Sequence, residues 1–220
     1  MKTQKSAITI AGKLSVTSKM PCDSWGIPAS LCKVGSKMAK QEGSTCFDCY
    51  ALKGAYIWTD VHKAYQKRYD LYKEHSSSGL WVEAMVLLIQ AQAKRRKTDF
   101  FRFFDSGDLQ DLGMLENLVK ICCALPNVKF WLPTREKAIV LKFIKTWGEN
   151  AIPSNLVIRI SDYFIDMRDK MDLFPNVIKS SSVGKAKLAI TCPSSAQHGQ
   201  CGDCRKCWNP DIENITYKQH

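Results

Sequence analysis

Long apolar runs are missing from this 220-residue chain. No stretch approaches the ~20 apolar residues that a membrane span needs, so no segment is expected to cross a bilayer. The opening, Met1 to Ser6, leads into only a short apolar patch with Lys13 close behind. It lacks the longer apolar stretch and small-residue cleavage site of a secretory signal, and the chain reads as cytoplasmic. Internal repeats, low-complexity segments and linkers are lacking too. With 45% hydrophobic residues, one α/β domain over residues 1–220 is expected. Acidic residues are scarce, 21 against 32 Lys and Arg, giving a net charge of +11. Such a surface suits nucleic acid or an acidic protein, or is a solvated face that binds nothing. The run Lys94-Arg95-Arg96-Lys97 follows an apolar helical pattern, where cations complement the helix dipole. That structural role ranks above nucleic-acid contact. Histidine is rare: of His62, His75, His198 and His220, only His198 lies inside a cysteine group, and it reads as a loop residue.

What the chain has instead is cysteine, ten in all. A reducing cytosol disfavours structural disulfides, so clustered cysteines there more often bind metal. One set is Cys192, Cys201, Cys204 and Cys207, the last three spaced C-x2-C-x2-C. Two-residue gaps let one tight loop, 192–210, turn several sulfurs toward one centre. Zinc sites usually draw on two separate pairs, whereas three cysteines in one loop suit a [4Fe-4S] cluster. The other set is Cys22, Cys32, Cys46 and Cys49, in an N-terminal loop, 18–49, that shows no sustained period. A loop of that length calls for something to organise it. Only Cys46 and Cys49 are closely spaced, so a zinc staple stays open for this set. Cys122 and Cys123 sit in an apolar helical pattern and read as filler.

The remaining pattern alternates strand and helix. Residues 7–16 read as a strand or hairpin fragment, and about 49–74 as a helix. Leu80–Ala93 reads as a helix, Phe100–Asp105 as a strand and Leu112–Ala124 as a helix. Val128–Thr134 reads as a strand, Glu136–Trp147 as a helix and Leu156–Ser161 as a strand. A weakly patterned helix is expected over Asp162–Phe174, then short strands at Val177–Ser180 and Lys187–Thr191. Nothing regular is expected after Cys207. The alternation implies a mostly parallel sheet, an open or partial (β/α) barrel of about five to six strands. Ligands in such folds bind at the C-terminal strand ends. Both cysteine sets fall there, together with Asp105, Ser106, Asp108, Thr134, Arg135 and Ser161. Asp105, Ser106 and Asp108 suit ligand amines or hydroxyls, or form a helix-capping turn. Arg135 suits a carboxylate or phosphate, or a surface ion pair. Arg159, inside an apolar strand, needs an acidic partner or a ligand.

Pro21-Cys22, Pro28-Ala29, Cys32, Cys46-Phe47-Asp48-Cys49-Tyr50-Ala51 and Lys53-Gly54-Ala55-Tyr56 resemble the cysteine-rich front of the phage gene product 88 family. Arg102 with Asp105-Ser106-Gly107-Asp108, Thr134, Thr191-Cys192-Pro193, Cys201, Cys204 and Cys207-Trp208 resemble its later blocks. The resemblance runs from about Lys13 to Pro210. It gives ancestry more than activity, and implies a phage protein in the host cytoplasm. The layout is also distantly similar to radical SAM enzymes, which implies a radical-SAM-like scaffold, one or two [4Fe-4S] clusters and redox or radical chemistry. Those enzymes leave one iron open for S-adenosylmethionine (SAM) by using three cysteines. Four ligands from Cys22, Cys32, Cys46 and Cys49 would close it, and three would leave it open. The alternative is a non-enzymatic module with structural iron–sulfur or zinc sites that binds nucleic acid or protein.

Overall fold

The computed structural model describes residues 3–184 and 190–219. Seven strands form one parallel sheet: β1 (Ser24–Trp25), β2 (Phe100–Phe103), β3 (Lys129–Thr134), β4 (Leu156–Ser161), β5 (Lys179–Val183), β6 (Ile190–Thr191) and β7 (Asn214–Tyr217). Their order is β1-β2-β3-β4-β5-β7-β6, every named pair is parallel, and the sheet does not close. The expected open α/β architecture is therefore present, with seven strands in place of five to six.

Strand alternation gives the two faces different jobs. Phe101, Phe103, Phe130, Leu132, Ile158 and Ile160 join the main core. Onto that face pack α1 (Gln4–Ala11), α4 (Leu80–Arg96), α5 (Leu112–Ala124) and α6 (Lys137–Trp147), through Ala7 and Ala11, Trp81 and Met85, Met114 and Leu118, and Val140 and Phe143. The intervening residues Arg102, Trp131, Arg159, Ile215 and Tyr217 face the other way. No helix of these covers them; the chain around Cys192–Cys207 does. Trp208 meets Phe100 and Trp131 edge-on, with centroids at 5.3 and 5.4 Å, and donates from Nε1 to Phe101 O at 2.8 Å.

Several segments depart from the sequence pattern. The helix expected over about 49–74 begins only at Thr59, after 3-10 turns at Tyr50–Leu52 and Gly54–Ile57. Residues 7–16 do not form a strand. Thr3 accepts from Ser6 N and starts α1, and Gly12, at φ 77°, ends it. Only Ser15 pairs in extended form, antiparallel to Ser24. Asp162–Phe174 is not helical. Asp162 Oδ1 accepts from Asp169 N, and Asp169 Oδ2 from Tyr163 N. Side-chain acceptors thus compete with the helix ladder for backbone donors. After Cys207, β7 inserts between β5 and β6. Of the expected strand Lys187–Thr191, residues 187–189 lie outside the described residues, and Ile190–Thr191 is β6. Of the remaining α-helices, α2 (Lys33–Met38) lies inside the N-terminal cysteine loop, which is therefore not irregular throughout, and α3 (Thr59–His75) follows it. Among the described residues no helix is long and apolar enough to cross a membrane.

Arg95 and Arg96 have a structural task. Both bind the buried Asp23 carboxylate, and Arg96 also donates to Thr17 O and Met20 O. The end of α4 therefore holds the segment that carries Cys22.

Candidate metal centres

The cysteines gather into groups that differ from those of the sequence. Cys32, Cys46 and Cys49 form the front group, over the C-terminal ends of β2 to β4. Cys32 leads directly into α2, whose Val34 N donates to Glu136 Oε1 at 2.8 Å, so a buried carboxylate caps that short helix. Thr45, beside Cys46, donates from N to Tyr163 O at 2.9 Å and from Oγ1 to Asp162 O at 3.0 Å. Gly35 shows how near two of the sulfurs come. A Cβ built there would sit 3.6 Å from Cys46 Sγ and 3.7 Å from Cys32 Sγ. Glycine costs a helix interior about 1 kcal/mol, and this close approach explains its use in α2.

Burial pushes the Cys32 and Cys46 thiols up. Asp108 and Cys49 push Cys32 further, while Arg135 pulls both groups back. Arg135 Nε donates to Thr45 Oγ1 at 3.1 Å, which brings its guanidinium to the residue before Cys46.

Cys22 stands elsewhere. It is 0% exposed and packs with Trp131, Cys207, Trp208 and Ile215, with Met20 and Cys192 against them. Burial pushes its thiol up to about 12, with Arg102 and Arg96 opposing and Cys201 adding. Cys46 is buried as well, but is not part of that packing. The segment before Cys22 runs along the C-terminal loop, where Cys201 N donates to Lys19 O at 2.9 Å. The second group therefore comprises Cys22, Cys192, Cys201, Cys204 and Cys207. It lies on the helix-free face of the sheet, and only partly at the strand ends where the sequence rule placed it.

This second group is built tightly from below. Tyr217 OH and Cys207 Sγ are in hydrogen-bond contact at 3.1 Å. Arg102 stacks 4.4 Å from the Trp131 ring centroid and donates to Phe104 O at 3.1 Å, with Tyr50 OH 3.5 Å away. Among the described residues Arg159 forms no ion pair, and its partners are backbone carbonyls. It is 0% exposed and donates to five carbonyls: Cys207 at 3.1 Å, Ser180 at 3.3 Å, Ile212 at 2.9 Å, Lys206 at 3.3 Å and Asn209 at 2.8 Å. Five donors are the full capacity of a guanidinium.

The strand-end residues form an internal lattice. Asp108 Oδ1 accepts from Leu109 N at 2.8 Å and Thr134 Oγ1 at 2.6 Å, and Oδ2 from Arg135 N at 2.8 Å. Burial still raises its pKa to about 6. Asp105 Oδ2 accepts from Tyr65, and its backbone oxygen from Tyr50. Ser106 O accepts from Ile27 N at 3.1 Å. Ser161 pairs with Ser181 at 3.2 Å, away from these groups on β4 and β5. Asp108, Thr134 and Arg135 thus come together beside the front sulfurs, with Arg135 presenting its charge to them. Next to this lattice opens a cleft of about 200 Å³, lined by Ser30, Leu52, Tyr56, His62, Tyr65 and Ser106. Tyr65, Glu136, Gly35 and Tyr217 escaped the sequence reading as site residues. Only Glu136, following Thr134-Arg135, had a strand-end position to signal it.

Among the described residues no three or more His, Cys, Asp or Glu side chains are arranged to hold a metal ion. Cys122, in α5, is buried apart from both groups, and Cys123 is exposed. A family model described as Gene product 88 matches residues 1–210. No curated protein and no solved structure matches the chain.

Proposed function

The chain belongs to the Gene product 88 family, and from the grouping of its cysteines we propose an iron–sulfur protein with two [4Fe-4S] sites. The front site takes Cys32, Cys46 and Cys49. The second draws on the cysteines of the C-terminal loop. The observation that carries this reading is the position of Cys22, packed against Cys207 and not among the front sulfurs. Three thiolates on a four-iron cluster leave one iron without a protein ligand. An open iron takes a ligand that offers an amine and a carboxylate, as SAM does, and supports redox or radical chemistry. Arg135, whose Nε bonds Thr45 next to Cys46, is the cation this reading assigns to an anionic group of that ligand.

Anaerobic purification followed by iron and sulfide analysis tests the reading. Two clusters correspond to about eight irons and eight sulfides per chain. Adding SAM to dithionite-reduced protein should change one EPR signal and leave another untouched. Colourless protein with stoichiometric zinc would sink the proposal. Clusters without any response to SAM, and without 5′-deoxyadenosine, would remove the open-iron chemistry and leave structural or electron-carrying sites.

A further inference from the structure

We infer that Cys22 is a ligand of the C-terminal cluster, so that this site is built from both ends of the chain with five sulfurs to choose from. The inference rests on the iron–sulfur reading above. Its own support is the fixing of Cys22 at that place by contacts on every side.

The turn that carries Cys22 is closed by Thr17 Oγ1 donating to Cys22 O at 2.6 Å. Next to it, Asp23 is gripped by Arg95 and Arg96, and Asp23 N donates to Gln92 Oε1 at 3.1 Å. The backbone on either side of the sulfur is therefore fixed to α4. Toward the C-terminal loop, Lys19 O holds Cys201 N, and Lys19 Nζ lies 3.3 Å from where a Cβ on Gly199 would stand. The Cys22 side chain is fully buried in the packing that also takes in Trp131, Cys207 and Trp208, with Cys192 against it. A cysteine serving only as apolar filler needs none of this polar bracing.

Charge points the same way. Arg102, from β2, lies 4.4 Å from the Trp131 ring centroid and 3.4 Å from Met20 Sδ, within the packing that holds Cys22. Its Nε is buried without a hydrogen-bond partner, and it forms no ion pair among the described residues. A buried guanidinium is stable beside a counter-charge. Asp105 supplies part of that counter-charge, and four thiolates around a four-iron cluster would add to it. The cluster takes four of the five sulfurs, and the assignment gives one of those four places to Cys22.

The test uses the full chain, anaerobically loaded, as wild type, Cys22→Ser, Cys22→Val and Cys32→Ser. Valine keeps the apolar packing but offers no ligand, and far-UV circular dichroism checks that each variant is folded. Both Cys22 variants should lose about half the iron and sulfide, about four of each, and keep the SAM-responsive EPR signal. Cys32→Ser should lose the SAM-responsive signal and keep the other. Full iron in folded Cys22→Val, or loss of the SAM-responsive signal in either Cys22 variant, would overturn the inference while leaving two clusters in the wild type. A wild type without iron and sulfide would overturn the functional proposal, and this inference with it. A measurement on the unmodified chain stands beside the variants. Ferricyanide oxidation of the loaded protein breaks down the clusters and takes two electrons from each pair of neighbouring thiolates. Disulfide mapping should then join Cys22 to Cys192, Cys201 or Cys207. A link to Cys32, Cys46 or Cys49 would refute the assignment.

Discussion

Replacing Arg159 by methionine should destabilise this protein severely, because one side chain holds the C-terminal loop to the sheet. Arg159 lies in the middle of β4, is 0% exposed, and has all five N–H groups on carbonyl oxygens. Four of those oxygens belong to residues 206–212, the chain just before β7. Methionine fills much of the volume but leaves five acceptors without donors. A hydrogen bond to a charged donor contributes about 1.5–3 kcal/mol, and an orphaned buried acceptor costs about 1–3 kcal/mol. Simple addition overshoots, because the loop can shift and hydrate some carbonyls, and because methionine recovers the desolvation cost of the guanidinium. Burial already pulls the Arg159 pKa below its usual value, so that recovery is real. The net loss is expected at about 3–5 kcal/mol, the scale of removing one partner from a buried charged pair. For a chain of this size that corresponds to roughly 6–20 °C in Tm. Arg159→Lys, with three donors at one point, should retain part of the stability. Equilibrium urea denaturation of anaerobically purified protein provides the numbers. A loss below about 1 kcal/mol for methionine, or lysine no better than methionine, would refute the claim that this fan of bonds holds the C-terminal loop.

Other perturbations probe other parts. Gly107 has φ 79°, and a Cβ there would meet Ile27 Cγ1 at 2.4 Å and Ile27 O at 2.6 Å; Gly107→Ala should cost about 2–4 kcal/mol in thermal denaturation from backbone strain and overpacking, and a cost under about 1 kcal/mol would show that the Asp105–Asp108 turn yields. Burial holds Asp162 at about 6, above its ordinary value of 3.8; a raised carboxyl pKa favours the folded state fully below about pH 4, and that contribution is lost as pH rises through about 6. Asp162→Asn should therefore gain about 1–2 kcal/mol over wild type at pH 7.5 and lose the advantage near pH 4, whereas parallel stability profiles across that range would count against it. Cys122→Ser should leave iron and sulfide content unchanged while lowering stability by about 1–3 kcal/mol for a buried hydroxyl; a matching fall in iron would place Cys122 at a cluster.

Sequence pattern was most informative where one face of an element meets the core. Leu112–Ala124 and Leu156–Ser161 have the same bounds in the sequence reading and in the fold, because α5 shows clear helical spacing and β4 is a bounded apolar run. The pattern misled where local chemistry, not periodicity, decides. Ile8, Thr9 and Ile10 look like a strand, but Ala7 and Ala11, one turn apart, are the residues buried against the core. An eight-residue helix is too short for its period to stand out. β7 was hidden for a different reason. Its Asn214 and Thr216 are polar, and they are tolerated because β5 answers them: Ser180 Oγ bonds Asn214 Oδ1 at 2.8 Å, Asn214 Nδ2 bonds Ser182 Oγ at 3.0 Å, and Ser182 meets Thr216 at 3.0 Å. A strand whose partners are polar carries no apolar signature of its own.

The grouping of the cysteines was illegible for a reason that also shapes the chemistry. In the chain, Cys22 and Cys32 are neighbours, and both precede Cys46. In the fold, β1 runs between Cys22 and Cys32, and its two residues, Ser24 and Trp25, take Arg102 and Phe103 as register partners. The chain thus enters the sheet after Cys22 and leaves it before Cys32, so the sulfurs emerge on different parts of the molecule. Spacing in sequence cannot register a crossing made by two residues. Arg102 then becomes the residue that relates the two groups. Its guanidinium lies 4.4 Å from the centroid of Trp131, which packs with Cys22 and Cys207, and comes within 3.5 Å of the hydroxyl of Tyr50, the residue directly after Cys49. One strand position thus touches the surroundings of both sulfur groups.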